Sequence, residues 1–201
     1  MNMPSLQTAE ALLAEAAQLN PGPWIEHSRN TAQAARLIAS QDPRLDPDTA
    51  YLFGYLHDIG RREGVTYIRH ILDGYNYLCA MGYSEPARIC MTHSFPYQCV
   101  DAYLGERDCT PAELDFINQY IKGVCYTPYD RLIQLCDSLA LPDGFCLIEK
   151  RLVDVALRYG TNSHTVLKWK AVFAVQAEFE AVIGGSIYSL LDGVIENTFR
   201  L

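Results

Sequence analysis

The residues best equipped for chemistry are His57 and Asp58, adjacent at the end of the largely apolar run Tyr51 to Leu56 and followed by Ile59 and Gly60. Neighbouring side chains on a helix point about 100° apart, so this pair can address one centre only from a helix end. Backbone carbonyls there favour a cation, and the run predicts that Gly60 stops the helix in the left-handed conformation. Taken alone, a His and an Asp in apolar surroundings read as a buried pair and nothing more. Four further ligand-type side chains change that reading: His27 upstream, then His70, His93 and Asp137 downstream, each in or beside a segment with helical spacing. Asp137 lies among Leu132, Ile133, Leu135, Cys136 and Leu139, where a carboxylate is costly unless paired, protonated or metal-bound. Mixed imidazole and carboxylate ligation suits Fe, Mn, Co, Ni or Zn better than Mg alone.

In this order, an early His, a His-Asp pair and a late Asp, the chain resembles the HD-domain superfamily of metal-dependent phosphohydrolases, and Leu56-His57-Asp58-Ile59-Gly60 is similar to its HDIG variant. Family members with two metals add a His one helix later with a glycine four residues on, and another His near the next helix end; His70 with Gly74, and His93, stand there. The resemblance spans about residues 24 to 140. It implies an all-α HD-domain helical bundle with a buried metal site. His27, His57, Asp58 and Asp137 would hold a first divalent transition metal, and His70, His93 and a bridging Asp58 a second. A metal-activated hydroxide would attack phosphorus in line, with Asp58 at the centre of the chemistry. The family places a basic residue directly after the glycine, more often Lys, and here it is Arg61, whose fork suits phosphate. The implied substrate is a small nucleotide or related phosphorylated metabolite, cleaved as a phosphomonoester or phosphodiester. Two other readings stay open: a diiron oxygenase of the HD type, which uses the same ligand set, and a regulatory module that keeps the metal without turnover.

The elements that would position these groups are helices throughout. Leu6, Ala9, Leu12, Leu13, Ala16 and Leu19 form a stripe ended by Asn20-Pro21-Gly22-Pro23, after which a second helix carries His27 in its first turns. Asp46-Pro47 is a cap with proline at the first helical position, launching the helix that ends in His57-Asp58, and Gly54 permits close packing within it. Ile68, Ile71, Leu72, Tyr75 and Leu78 give the helix bearing His70 and Gly74 on one face; a further helix ends at His93. Residues 94–110 are irregular, long enough for a lid or specificity loop. Beyond Pro142-Asp143-Gly144, two helices over about 145–159 and 163–182 complete the core, cover the site's mouth, or offer a face for a homodimer. His164 has no matching ligand position and stays outside the metal set.

Length and composition bound the rest. A chain of 201 residues with 49% hydrophobic content is expected to form one domain over 1–201. Sixteen basic against twenty-four acidic residues give a net charge of −8 without a basic block, which argues against a nucleic-acid polymer as partner. A small anion is still admissible, since bound divalent metals reverse the local field. Seven cysteines without a Cys-x-x-Cys pair read as reduced, mostly buried residues of a cytoplasmic protein. No run approaches the roughly 18 apolar residues that a membrane span needs.

Overall fold

Caps written into the sequence start most of the helices. In the computed structural model, which describes residues 2–200, the Ser5 hydroxyl accepts from the Thr8 N–H and opens α1 (Leu6–Leu19). The chain turns at Pro21 to Pro23 into α2 (Trp24–Ala39); Asp46 accepts from the Thr49 N–H and opens α3 (Pro47–Leu56), with Pro47 preset for the first turn. A 3-10 turn (Ile59–Glu63) leads to α4 (Arg69–Ala80) and α5 (Ser84–Thr92). Full capping boxes, Thr110 with Glu113 and Thr127 with Asp130, start α6 (Pro111–Gly123) and α7 (Pro128–Asp137). After a two-residue hairpin, β1 (Ala140–Leu141) with β2 (Gly144–Phe145), come α8 (Ile148–Tyr159), α9 (Thr165–Ile183) and α10 (Val194–Phe199).

The architecture is thus all-α apart from the hairpin. In the heart of the bundle α2 packs along α3 and across α7, while α4 lies on α5. One apolar core runs from Ala9 and Leu13 of α1 through Ile38, Leu56 and Leu135 to Val172, Val175 and Phe179 of α9. A second, with Ile71, Met91, Phe95, Ile117 and Ile121, lies under the 94–110 segment. No helix among the described residues is long and apolar enough to cross a membrane.

Three expectations are corrected. Gly60 does not stop α3 in the left-handed conformation: it lies inside the 3-10 turn, and positive φ first occurs at Gly64, at 128°. Its lack of a side chain serves close packing instead, because a Cβ there would run into the His70 carbonyl oxygen and the Gly74 nitrogen. The helix expected from about residue 145 begins only at Ile148, because Pro142-Asp143 turns a hairpin that sets Gly144 opposite Leu141 and Phe145 opposite Ala140. The cysteines are free, yet only Cys90, Cys136 and Cys146 are buried; Cys79 and Cys125 are exposed.

Candidate metal centre

Three helices end at one point. His57 is the residue that closes α3, His93 closes α5, and Asp137 is the last residue of α7, so the carbonyl ends of three helices face the same region and lower its potential for a cation. His27 and His70 enter from the first turns of α2 and α4. Close backbone packing makes this convergence feasible: a Cβ on Gly54 would lie 2.6 Å from the Ala32 Cα, and one on Gly74 2.9 Å from the Cys90 sulfur. Two acidic residues fix the approach of the helices. Asp108, from the long connection, accepts from the backbone N–H groups of Tyr67 and Arg69 at 2.7 and 2.9 Å, capping the start of α4 beside His70. Asp130, fully buried, takes bonds from Arg88 and Thr92 of α5 as well as from Thr127, locking α5 to α7.

The four imidazoles are oriented alike. Each Nδ1 lies against a backbone carbonyl: Ala140 for His27 at 3.2 Å, Gly54 for His57 at 2.6 Å, Tyr67 for His70, and Cys90 for His93 at 2.9 Å. A carbonyl only accepts, so Nδ1 carries the hydrogen and Nε2 points inward with a bare lone pair. Those lone pairs face carboxylate oxygens. His27 Nε2 is 3.0 Å from Asp137 Oδ1, while His70 and His93 Nε2 stand 3.1 and 3.5 Å from Asp58 Oδ1 and 3.4 Å from each other. His57 Nε2 and Asp58 Oδ1 are buried without any hydrogen-bond donor. Acceptors aimed at acceptors in a buried setting require a positive ion among them. Protons fill that role poorly, because burial lowers His27 and takes His93 down to about 3.

The donor set fits metal ions in two overlapping groups, His27 with His57 and Asp58, and Asp58 with His70 and His93, the ligand atoms within each group lying within 4.8 Å of one another. Asp58 belongs to both; Asp137, one-quarter exposed, lies outside both groups and meets the first only through His27 Nε2 at 3.0 Å. Burial alone would raise the Asp58 carboxyl, but the adjacent positive charge, the Arg61 guanidinium foremost, outweighs it and holds it well below the usual carboxylate range. For Asp137, likewise, the effect of burial is opposed by the Arg151 guanidinium, and the net shift is downward.

Belonging to a known family is decided by the sequence pattern that this geometry brings together: the HD-domain family model matches residues 24–141. The chain belongs to the HD-domain family. HD domains are in general metal-dependent hydrolases that bind divalent ions, and the buried His and Asp groups here are of a kind to hold one. No curated protein and no solved structure matches the chain.

Around this HD centre opens a cleft of about 480 Å³. Arg61 lines it, but its Nε donates to Asp58 Oδ2 at 2.5 Å and its Nη1 reaches the Thr66 carbonyl at 3.4 Å; only Nη2 has no partner among the described residues. Tyr103 of the 94–110 segment forms another wall, and burial pushes its phenol up, so the hydroxyl keeps its proton. The remaining cations, Arg151 and Arg158 of α8 and Lys168 of α9, come from helices outside the family match and were missed by sequence reasoning. Two signals were present: Arg151, Asp154, Val155 and Arg158 share one face of α8 at helical spacing, and Lys168 stands between the apolar Leu167 and Trp169. His164 stands apart from the centre, near Cys99 and Asp101.

Proposed function

We propose that this HD-domain protein is a phosphohydrolase that cleaves a phosphomonoester or phosphodiester of a small nucleotide or related phosphorylated metabolite. The observation that carries the reading is the joining of the two ligand groups through Asp58 at the floor of a cleft whose walls supply Arg61, Arg151, Arg158 and Lys168. A first ion would be held by His27, His57, Asp58 and Asp137, and a second by Asp58, His70 and His93. Bound divalent ions supply Lewis acidity, activating water and withdrawing charge from phosphoryl oxygens. The chain's own groups do the rest. The Nδ1–H bonds to carbonyls fix each ring and its tautomer. Arg61 braces Asp58 through Nε and offers Nη2 to a phosphoryl oxygen. The protonated Tyr103 hydroxyl can donate to a second. Residues 1–201 act as one domain in this reading, with α8 and α9 completing the cleft that the HD core begins. Free cysteines fit a cytoplasmic setting.

The same ligand set suits a diiron oxygenase, and the cationic walls favour phosphate over that alternative. Protein reconstituted separately with Mn, Fe, Co, Ni and Zn and offered a panel of phosphomonoesters, phosphodiesters and small nucleotides should release phosphate or a phosphorylated product from at least one, and Asp58→Ala should abolish it. Oxygen consumption by the iron form, with no phosphoester cleaved by any form, would replace this reading with the oxygenase.

A further inference from the structure

Beside the main cleft lies a smaller cavity of about 70 Å³, and the two meet along His93, Asp137, Arg151 and Lys168. The side cavity is compact, close in size to a single oxyanion group, and it is lined by two cations and by the hydroxyl-bearing Ser94 and Ser138. Its cations are poorly neutralised. No carboxylate lies within 4 Å of the Lys168 ammonium among the described residues, and Arg151 makes only loose pairs, 3.8 Å to Asp137 and 3.9 Å to Asp154. Asp137 is also a candidate metal ligand, so an ion at the centre would draw that carboxylate's charge away from Arg151. Neither Arg151 nor Lys168 belongs to the segment matched by the family.

We propose that Arg151 and Lys168 form an anion subsite in this side cavity, and that the substrate carries a second compact anionic group, phosphate or carboxylate, beside the phosphoester that meets the metal centre. The inference rests on the phosphohydrolase reading and narrows it: simple monophosphates fill only one of the two sites. Because His93 and Asp137 border both cavities, the two anionic groups of the substrate must be separated by a short linker, as in a diphosphate or a phosphorylated short-chain acid. Each charge-assisted hydrogen bond formed in the subsite should strengthen binding by roughly tenfold or more.

The test is a calorimetric titration of the Mn-loaded protein with methylphosphonate, methylenediphosphonate and phosphonoacetate, none of which is cleaved. At least one of the two doubly anionic probes should bind at least about tenfold tighter than methylphosphonate, and which of them does so tells phosphate from carboxylate as the second group. That ratio should collapse in Lys168→Met and in Arg151→Met and persist in Lys168→Arg. Equal binding of all three probes overturns the subsite, as does an advantage that survives both Met variants, since it would then come from chelation at the metals alone. Circular dichroism checks that each variant is folded, and either Met variant suffices if the other is not. Binding is read without turnover, so a protein that cleaves no phosphoester yet shows the ratio sinks only the hydrolase reading, whereas a phosphohydrolase without the ratio sinks only the subsite.

Discussion

At Gly60 the backbone of the 3-10 turn lies so close to α4 that a single added carbon meets the His70 carbonyl oxygen and the Gly74 nitrogen, atoms that cannot rotate away. Gly60→Ala should therefore push α4 outward, lowering stability by about 1–3 kcal/mol as other overpacked sites do and weakening metal binding through His70. Thermal unfolding and metal titration of the folded variant check this; an unchanged midpoint with unchanged affinity would contradict it. The imidazoles make a second prediction. His27 and His93 are lowered by burial from the ordinary value of 6.5, His93 to about 3, so unfolding frees rings that bind protons in that window. With folded values depressed, the stability of the chelated protein is fully present above pH 6.5 and falls as pH drops toward 3, at about 1.4 kcal/mol per pH unit for each ring so affected. Urea midpoints at pH 7.5 and 5.5 measure it, and greater stability at the lower pH would contradict the sign.

Among the elements, α5 and α7 matter most, because each ends in a candidate ligand and the two are tied by one buried carboxylate. Asp130 accepts from Arg88 at 2.7 Å, Thr92 Oγ1 at 2.7 Å and the Thr127 backbone at 2.7 Å, while Gln134 donates to the Thr92 carbonyl at 3.0 Å. Asp130→Ala leaves Arg88 without its partner, a loss typically of about 3–5 kcal/mol for buried pairs and nearer the lower end here, since the Arg88 side chain is 24% exposed. It should also let His93 and Asp137 drift apart. Denaturant unfolding and metal affinity together check the prediction, and a stable variant with full affinity would remove Asp130 from the positioning role. Most helices and the six ligand candidates were legible in the sequence, because helical spacing, the Asp46-Pro47 cap, and His or Asp at helix ends are local signals. The reason for Gly60 was not, since a steric limit set by the His70 carbonyl exists only once α4 has packed. The hairpin escaped because two residues per strand are too few to show alternation.

On the scale of the whole molecule, the HD-matched segment carries the six candidate ligands and Arg61, while the C-terminal helices bring Arg151, Arg158 and Lys168 to the cleft. The signals in the sequence did not say where these residues would lie: only the folding of α8 and α9 over the cleft brings Arg151 and Lys168 to His93 and Asp137. Asp58 is the carboxylate common to the two candidate ligand groups. Metal content per chain, measured for protein purified without chelator and for Asp58→Ala prepared identically, addresses this most directly. A dinuclear centre of the usual kind predicts about two divalent ions per chain in the unaltered protein and loss of most of both in the variant, with circular dichroism unchanged. Unaltered protein that takes up no metal, or Asp58→Ala that keeps its full complement, would contradict it.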